Sequence, residues 1–397
     1  MRMVQLPAGT AGTAGVADIA GTTGIAGTAG AVRPAPVTGD PVTGDAVARW
    51  RDGVRERAVV VVEDFVRDRC DEYVRGIPGA DFVTELLAGS VPGGKCVRPV
   101  FTYLGWRAGA GESDAALRAA ASTELLHAFA LIQDDVMDRS AMRRGRPAAH
   151  VRLAEWYAAR HLAGDARHFG ESAAVLLGDL LLVWAEQMLR ECGLPAQALA
   201  RGWPVYDRMR GELAVGQFAD LVYDARHLPP METVLATSRQ KSGNYTVRRP
   251  LELGAALAGC DATVTAALGR YGALVGEAFQ LRDDLLGVFG RPSVTGKPSG
   301  GDLREHKATS VVALASELAG PGQRAELERL HARPRLGETE LDRLRELITD
   351  AGAVGRIERM IASRVAAACD GLAGIGLNGF VRAALDDLAV RATDRAR

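Results

Sequence analysis

The sequence predicts an all-α protein, a single large helical bundle, and three observations support this fold class. From about Ala46 onward, long segments rich in Ala, Leu, Arg and Glu carry apolar residues at helical spacing. Runs of β-branched and aromatic residues at period two are nearly absent, and aromatic residues make up only 5% of the chain. Gly and Pro clusters separate the helical segments, as at Val91–Gly94, Gly145–Pro147 and Gly290–Gly301.

The first 45 residues differ in composition from the rest of the chain. They are almost entirely Ala, Gly, Thr, Val and Pro, with repeated Thr-Ala-Gly units. Such a segment has too few large side chains to offset the entropy of ordering it. We therefore predict a low-complexity disordered leader over residues 1–45 and one all-helical domain over residues 46–397.

Six segments carry the helical periodicity most clearly, and several are apolar nearly all round, which suits the centre of a bundle. In chain order they are Ala46–Arg75, Asp114–Asp138, Ala173–Glu191, Tyr206–Tyr223, Val264–Phe289 and Leu341–Ala373. Together with the shorter segments between them, they predict roughly ten helices.

Charge and cysteine content argue against several function classes. The chain has 48 basic and 49 acidic residues, so its net charge of −1 gives no reason to expect nucleic acid or an anionic membrane as a partner. The five cysteines form no C-x-x-C pair, so neither a zinc site nor a disulfide framework is predicted. The longest apolar stretch, around Val175–Ala185, is too short for a membrane span, and no secretion signal follows Met1. A cytoplasmic protein is predicted.

The first candidate site is an aspartate cluster, Asp134-Asp135-Val-Met-Asp138, at the end of an apolar helix. On a helix, Asp134 and Asp138 share a face, with Asp135 beside them. Like charges at this spacing repel unless a cation lies between them, and carboxylates without His or Cys favour Mg²⁺. A solvated acidic helix end is the alternative interpretation.

A second cluster, Gln280-Leu-Arg-Asp283-Asp284-Leu-Leu-Gly287, follows about 150 residues downstream and also lies in an apolar helical stretch. If the two helices face each other across a bundle, their carboxylates form an acidic rim at the mouth of a cavity. The repetition favours a metal site over two unrelated helix ends.

Basic residues surround both clusters and suggest that the bound anion is a diphosphate. They are Lys95, Arg98, Arg143, Arg144, Lys241, Lys297 and Lys307. An arginine can bind two phosphate oxygens at once, and a lysine adds a point charge. Singly, each is more often a surface charge than a ligand, so the prediction depends on the combination.

In order and approximate spacing, these motifs resemble the trans-isoprenyl diphosphate synthases, the family of farnesyl and geranylgeranyl diphosphate synthases. The resemblance covers about Trp50 to Arg397 and includes Gly-Gly-Lys-x-x-Arg-Pro, Asp-Asp-x-x-Asp, Arg-Arg-Gly, Lys-Ser and Gln-x-x-Asp-Asp. Gln217 and Asp220 lie in a further matching segment. The resemblance implies an isoprenoid synthase bundle around a central apolar cavity, and a homodimer.

The resemblance also implies a metal cofactor, three Mg²⁺ ions that Mn²⁺ can replace. Asp134 and Asp138 would ligate two of the ions with support from Asp135. Asp283 would ligate the third ion, with Asp284 beside it.

The second cluster departs from the family pattern at Gly287, where many members carry Asp. The third ion thereby loses a nearby carboxylate, although Asp283 remains.

For the substrates, the resemblance implies two diphosphate sites and a set of residues at the reacting carbons. The diphosphate of isopentenyl diphosphate would be held by Lys95, Arg98, His127 and Arg144. The allylic diphosphate would be held by Arg143, Lys241 and Lys297, with Lys307 nearby. The catalytic set would be Lys241, Ser242 and Gln280.

The implied reaction is the condensation of isopentenyl diphosphate with an allylic diphosphate. A class I terpene cyclase can use a similar fold but has no need for a second diphosphate site. A non-catalytic subunit of a heteromeric prenyltransferase would be expected to lose one or both aspartate motifs. Both alternatives are therefore less favoured.

Product length is predicted from the residues four and five positions before Asp134, which are Ala130 and Phe129. They lie about one helical turn deeper than the metal site, roughly 6–7.5 Å along the axis. In the resembling family, bulky aromatics at both positions favour the fifteen-carbon farnesyl product. With Ala130 open and Phe129 still obstructing, geranylgeranyl diphosphate is the predicted main product, and farnesyl diphosphate is the nearest alternative.

Overall fold

The structure is a computed structural model that describes residues 43–91, 94–222, 228–290 and 300–393. The predicted leader, apart from its last three residues, lies outside this range, as do Gly93 and Lys297. The predictions made for these residues therefore stay predictions.

In its described residues, the N-terminal half of the bundle holds seven helices and one short hairpin. They are α1 (Gly44–Tyr73), α2 (Ala80–Ser90), α3 (Val97–Arg107), α4 (Asp114–Met137), β1 (Met142–Arg143), β2 (Arg146–Pro147), α5 (Ala149–Ala158), α6 (Ala166–Arg190) and α7 (Ala196–Val222). The two strands are antiparallel, with Met142 opposite Pro147 and Arg143 opposite Arg146.

The C-terminal half is helical in all its described residues that have regular structure. Its elements are α8 (Met231–Ser238), a π-helix (Arg239–Arg248), α9 (Arg249–Ala258), α10 (Ala262–Phe289), α11 (Gly301–Arg304), α12 (Ser310–Leu318), α13 (Pro321–His331), α14 (Glu338–Asp350), α15 (Ala353–Asp370) and α16 (Gly379–Thr393). The prediction of an all-α fold is confirmed.

Two expectations about the helices were wrong. The structure contains more helices than the ten predicted, because short helices connect the long ones. The segment Leu341–Ala373 is two helices, since α14 ends at Asp350 and α15 begins at Ala353. Gly352 lies between them with φ of 76°, a left-handed conformation that interrupts a right-handed helix.

Helices α4 and α10 lie in the interior of the bundle and carry the two aspartate clusters at their C-terminal ends. The larger core cluster packs around α4, and a smaller one forms where α10 meets α12, α14 and α15. Because α10 contributes residues to both clusters, it links the two halves of the core.

By length and hydropathy alone, α4 and α6 are the two described helices that could cross a membrane. Helix α4 has 67% of its most apolar window buried inside the bundle, which is the expected property of a core helix. Helix α6 has 39% of its window buried and packs along α4, so it presents an apolar face outward.

Glycines allow the closest helix contact in the core, between α3 and α9. A Cβ atom on Gly254 would lie 1.9 Å from the carbonyl oxygen of Thr102, and one on Gly105 would lie 2.2 Å from that of Leu251. Both neighbours are backbone atoms, so they cannot rotate away. Only glycine at both positions permits this approach.

We predict that Gly254→Ala destabilises the protein by about 1–3 kcal/mol, because the added methyl group overpacks the contact. The measurement is urea unfolding. Gly211→Ala on α7 is the matched control, since nothing lies within 4 Å of its Cβ position. Alanine in an exposed helix interior should raise stability by about 0.5–1 kcal/mol. Equal effects at both positions would contradict the packing argument.

Candidate active site

A cavity of 1010 Å³ opens between the C-terminal ends of α4 and α10. Residues from both aspartate clusters line it, as do several of the predicted cationic residues. Its predicted lining residues are Lys95, Arg98, His127, Asp134, Arg143, Arg144, Lys241, Ser242, Gln280, Asp283, Asp284 and Lys307. The structure thus gathers side chains that are separated by more than 200 residues in the sequence.

The carboxylate of Asp134 contacts three side chains from three different elements. Gln217 on α7 donates to Oδ1 at 3.2 Å, Lys241 lies 3.4 Å from the same oxygen, and Arg143 lies 3.4 Å from Oδ2. Burial acts to raise the pKa of Asp134, but the charges of Lys241, Lys307 and Arg143 outweigh it and hold the pKa below its usual value. Asp134 therefore remains an anion at neutral pH.

Asp135 is the most buried carboxylate of the first cluster, with only 2% of its surface exposed. Arg143 donates to both of its oxygens, from Nε at 2.9 and 3.1 Å and also from Nη2. This fork-on-carboxylate pairing fixes the hairpin that carries Arg143 against the end of α4. Its contacts suit the supporting role predicted for Asp135.

Asp138 directly follows α4 and forms an ion pair with Lys307, which lies in the segment after α11. Lys307 donates to Oδ2 of Asp138 at 2.9 Å and also lies 3.0 Å from Oε2 of Glu305. Burial acts to lower the pKa of Lys307, but the carboxylates of Asp138, Glu305 and Asp302 raise it overall. Lys307 is therefore a permanent cation on the rim of the cavity.

Lys241 and Ser242 lie on the π-helix, an unusual conformation that is frequent at functional sites. Lys241 donates to Asp220 on α7 at 2.6 Å, besides its contact with Asp134. Helix α7 can approach the π-helix closely because Gly216 has no side chain. A Cβ atom on Gly216 would lie 2.4 Å from the backbone nitrogen of Lys241. The packing of α7 thus directs Lys241 toward the carboxylates.

The two aspartates of the second cluster have different environments. Both line the cavity, but Asp284 is only 5% exposed and accepts several hydrogen bonds. Gln280 donates to it at 2.7 Å, and Ser310 donates from its backbone nitrogen at 2.9 Å and its hydroxyl at 2.5 Å. Burial raises the pKa of Asp284 despite these bonds. The bonds from Ser310 to Asp284 connect the start of α12 to α10, and the bond from Gln280 lies within α10.

A second group of cations lies around the N-terminal end of α3 and lines the same cavity. Arg98 donates to Oγ1 of Thr246 at 2.9 Å and lies 4.3 Å above the ring of Tyr245. A Cβ on Gly94 would lie within 3.0 Å of both Glu124 and Arg144, so these two side chains enclose the loop before α3. We call Lys95, Arg98, Glu124, His127 and Arg144 the basic pocket.

Three buried atoms of the basic pocket have no hydrogen-bond partner within the described part of the chain: Arg98 Nε, Glu124 Oε2 and His127 Nδ1. Burial lowers the pKa of His127 well below its usual value, and the charges of Arg98 and Arg144 add to this effect. The imidazole is therefore neutral. Buried polar atoms without partners are costly, so the arrangement fits a pocket that binds a polar ligand.

Backbone strain is concentrated around the cavity. Cys96, Arg139, Arg144 and His306 all have φ between 44° and 54°, which non-glycine residues rarely adopt. Each is a predicted site residue or is adjacent to one. Arg144 and Gly145 (φ 74°) form the turn of the hairpin, so successive arginines reach different parts of the cavity. Such strain persists where the surrounding structure requires it.

Without a substrate, the carboxylates at the cavity provide only part of the ligands that a Mg²⁺ ion needs. Its oxygens are hard carboxylate ligands, which Mg²⁺ prefers over His and Cys sites. Across the described residues, however, no three acidic, His or Cys side chains form a ready cluster for a metal ion. Mg²⁺ commonly takes one or two carboxylates plus phosphate oxygens. The geometry therefore suits metal binding that a diphosphate completes.

Phe129 and Ala130 lie on α4, below the aspartates. Phe129 is partly buried and packs against the larger core cluster. Of the described residues that line the cavity, the nearest on α4 are His127 and Leu131, and neither Phe129 nor Ala130 is among them. Their role in product length stays a prediction.

The chain matches the polyprenyl synthetase family over residues 81–348, which is more than half of its length. It belongs to this family. Among its relatives, it is 34% identical over 271 residues to the geranylfarnesyl diphosphate synthase of Aeropyrum pernix, covering 67% of this chain and 79% of the relative. It is 33% identical over 305 residues to the (2E,6E)-farnesyl diphosphate synthase of Mycobacterium tuberculosis, covering 76% and 80%.

Solved structures of other polyprenyl synthetases share the fold. The geranylgeranyl pyrophosphate synthase from Corynebacterium glutamicum, solved with isoprenyl diphosphate and magnesium, has a TM-score of 0.81. It is 35% identical, and the alignment covers 88% of this chain and 99% of that one. The predicted family and the isoprenoid synthase fold are therefore confirmed.

Sequence reasoning gave no role to several polyprenyl synthetase residues that the structure brings to the site. Glu124, Thr246 and Asp302 line the cavity, and Gln217 and Asp220 contact its charged groups. Glu124 stands ten residues before Asp134 and is the one acidic residue in the sequence between Arg118 and Asp134. A single carboxylate in such a weakly charged helical segment was the signal that could have identified it.

Proposed function

We propose that this polyprenyl synthetase condenses isopentenyl diphosphate with allylic diphosphates and releases mainly geranylgeranyl diphosphate. The observation that supports the proposal is a single cavity lined by two groups of cationic side chains. One is the rim of carboxylates and lysines at the ends of α4 and α10, and the other is the basic pocket. A reaction that joins two diphosphates needs both.

The basic pocket also separates this function from the alternatives. A terpene cyclase binds one diphosphate, so a second pocket with three cations and two orphaned buried nitrogens would have no ligand. A non-catalytic subunit has no need of the metal-binding carboxylates, yet Asp134, Asp138 and Asp283 are all present at the cavity or its rim. Prenyl transfer uses every one of these features.

The residues divide the work of the reaction between the two regions. Lys95, Arg98, His127 and Arg144 hold the diphosphate of isopentenyl diphosphate, so that its double bond faces the rim. The allylic diphosphate lies at the rim, within reach of Arg143, Lys241 and Lys307. Asp134, Asp138 and Asp283 would hold three Mg²⁺ ions, which would supply positive charge to the departing diphosphate.

The protein favours bond breakage because its charges are already fixed in place. Lys241 and Lys307 are held by carboxylates in the protein alone. In the proposed reaction they would lie near the leaving diphosphate, where negative charge develops. Ser242 and Gln280 would lie against the reacting carbons. The proton lost at the end of the reaction passes to the released diphosphate, so no side-chain base is required.

We also propose that two copies of the chain pair through α6 and α7. Leu176 and Val183 on α6, and Val215, Phe218 and Val222 on α7, are exposed large apolar residues at helical spacing. Leu176 and Phe218 are 68% and 69% exposed, which is unfavourable in water unless another surface covers them. A second copy is the proposed occupant, because equivalent stripes on two copies are self-complementary across a twofold axis.

Helices α6 and α7 are connected by Arg210 on α7, which donates to Glu186 on α6 at 2.7 Å, and both helices contact the end of α4. Gln133 on α4 donates to Asp179 on α6 at 2.8 Å, and Gln217 on α7 donates to Asp134 on α4 at 3.2 Å. The proposed interface therefore lies behind the metal-binding carboxylates.

Cytoplasmic location is proposed as well, since the five cysteines are free thiols.

Activity should require both substrates and a divalent cation. Incubating the purified protein with Mg²⁺ and an allylic diphosphate, with and without isopentenyl diphosphate, should give a prenyl diphosphate only when both substrates are present. Asp134→Ala and Asp283→Ala should each lower turnover by about 10²–10³-fold, as the loss of a major electrostatic group does. A cyclic hydrocarbon formed without isopentenyl diphosphate, or full activity in excess chelator, would refute the proposal.

Arg98→Gln should raise KM for isopentenyl diphosphate by about tenfold to a hundredfold, the effect of losing a hydrogen bond to a charged group. KM for the allylic substrate should change little, because Arg98 lies in the basic pocket. Lys307→Gln is the reciprocal variant and should affect the allylic substrate instead. Steady-state kinetics with each substrate varied in turn makes the measurement. Equal effects of Arg98→Gln on both constants would show that the assignment is wrong.

Product length should respond to the two residues below the aspartates. Ala130→Phe should shorten the main product toward fifteen carbons, and Phe129→Ala should lengthen it, as measured by chromatography of dephosphorylated products. Phe169→Ala on α6 is the control, because Phe169 also packs partly buried against the larger core cluster. Unchanged products in both test variants would place the floor of the pocket elsewhere.

The protein should elute as a particle of about twice 42.0 kDa in sizing with light scattering. Phe218→Glu should shift it to the monomer, because a buried unpaired charge disfavours an apolar interface. Val60→Glu is the control, since Val60 is 55% exposed on α1, away from both stripes. A monomeric wild-type protein would contradict the proposed pairing.

A further inference from the structure

Gly287 lies one helical turn after Asp283, on the same face of α10. A side chain at position 287 would therefore project beside the carboxylate of Asp283, toward the cavity that both residues line. The space that such a side chain would fill is not open. A Cβ built on Gly287 would lie 1.8 Å from Oδ2 and 2.4 Å from Cγ of Asp302.

The atom that fills this space is a carboxylate oxygen from a different element. Asp302 belongs to α11, which follows α10 after a segment outside the described residues. Its carboxylate can lie against the backbone of α10 only because residue 287 has no side chain. Gly287 and Asp302 are therefore coupled, since a larger residue at 287 requires Asp302 to move.

The location of Asp302 also connects it with the first cluster. Its carboxylate interacts electrostatically with Lys307, the residue that donates to Asp138. Asp302 thus lies against Gly287, one turn after Asp283, and within electrostatic range of Lys307. A cation between the two aspartate clusters would be within reach of this carboxylate.

We propose that Asp302 is a metal ligand, supplying from α11 the carboxylate that the second aspartate cluster lacks at Gly287. This inference rests on the proposed function, because the metal ion in question is the one at Asp283. The carboxylate of Asp302 on α11 would thus replace a carboxylate at position 287 of α10. The alternative is that Asp302 packs against Gly287 and binds no metal ion.

The experiment compares Mn²⁺ binding, because Mn²⁺ replaces Mg²⁺ and its free concentration can be read by electron paramagnetic resonance. Protein is titrated with Mn²⁺ in the presence of inorganic pyrophosphate, and the number and affinity of bound ions are determined. The variants are Asp302→Asn, which keeps the shape of the side chain, and Gly287→Asp/Asp302→Ala, which returns a carboxylate to α10. Melting temperature is measured for each variant.

The control is Glu338→Gln. Glu338 is 76% exposed and pairs with Arg304 on α11, outside the cavity. Like Asp302→Asn, this variant removes one negative charge that contacts α11. It therefore measures how far a loosened α11 alone changes Mn²⁺ binding. Its Mn²⁺ binding should equal that of the wild-type protein.

Asp302→Asn should lose one Mn²⁺ ion or bind it at least about tenfold more weakly, with little change in melting temperature. The double variant should recover most of the lost affinity, while Gly287→Asp alone should lower the melting temperature because two carboxylates compete for one space. If Asp302→Asn bound Mn²⁺ as the wild-type protein does, or if the double variant did not regain the lost affinity, the proposed role of Asp302 would be overturned. A wild-type protein that binds no Mn²⁺ with pyrophosphate would instead overturn the proposed function itself.

Discussion

The repulsion between carboxylates at the ends of α4 and α10 is the constraint on which the site depends. Two like charges 4 Å apart near a protein surface repel by about 4 kcal/mol. In this structure Arg143, Lys241 and Lys307 lie among the carboxylates and offset that repulsion. The same cations are those proposed to hold the allylic diphosphate. Substrate and metal therefore replace contacts that the protein already makes with itself.

Much of the surrounding architecture serves to keep these charges in place. The π-helix carries Lys241, and its close contacts with α7 and α10 depend on glycine at Gly216, Gly243 and Gly276. The strained hairpin turn at Arg144 lets Arg143 pair with Asp135 while Arg144 reaches the basic pocket. Preorganisation of this kind is effective because the reorganisation energy is spent during folding and not during the reaction.

The sequence predicted the fold class and most of the cavity because both follow from local patterns. Apolar periodicity defined α4 and α10, and the clustered aspartates on them had few structural explanations other than a metal site. The π-helix could not be predicted, since it depends on tertiary contacts of glycines far apart in the chain. Neither could the bond from Ser310 to Asp284, nor the contact of Asp302 with Gly287, because both require knowing how the chain returns after α10.

The dependence of metal binding on diphosphate can be measured directly by thermal unfolding. Melting curves of the wild-type protein are compared without additions, with Mg²⁺ alone, with inorganic pyrophosphate alone, and with both. Ligands that bind only the folded state raise the melting temperature by mass action. Because the carboxylates form no ready metal cluster in the described residues, the rise with both ligands should exceed the sum of the two separate rises. A rise with Mg²⁺ alone as large as the rise with both would contradict a site that the diphosphate completes.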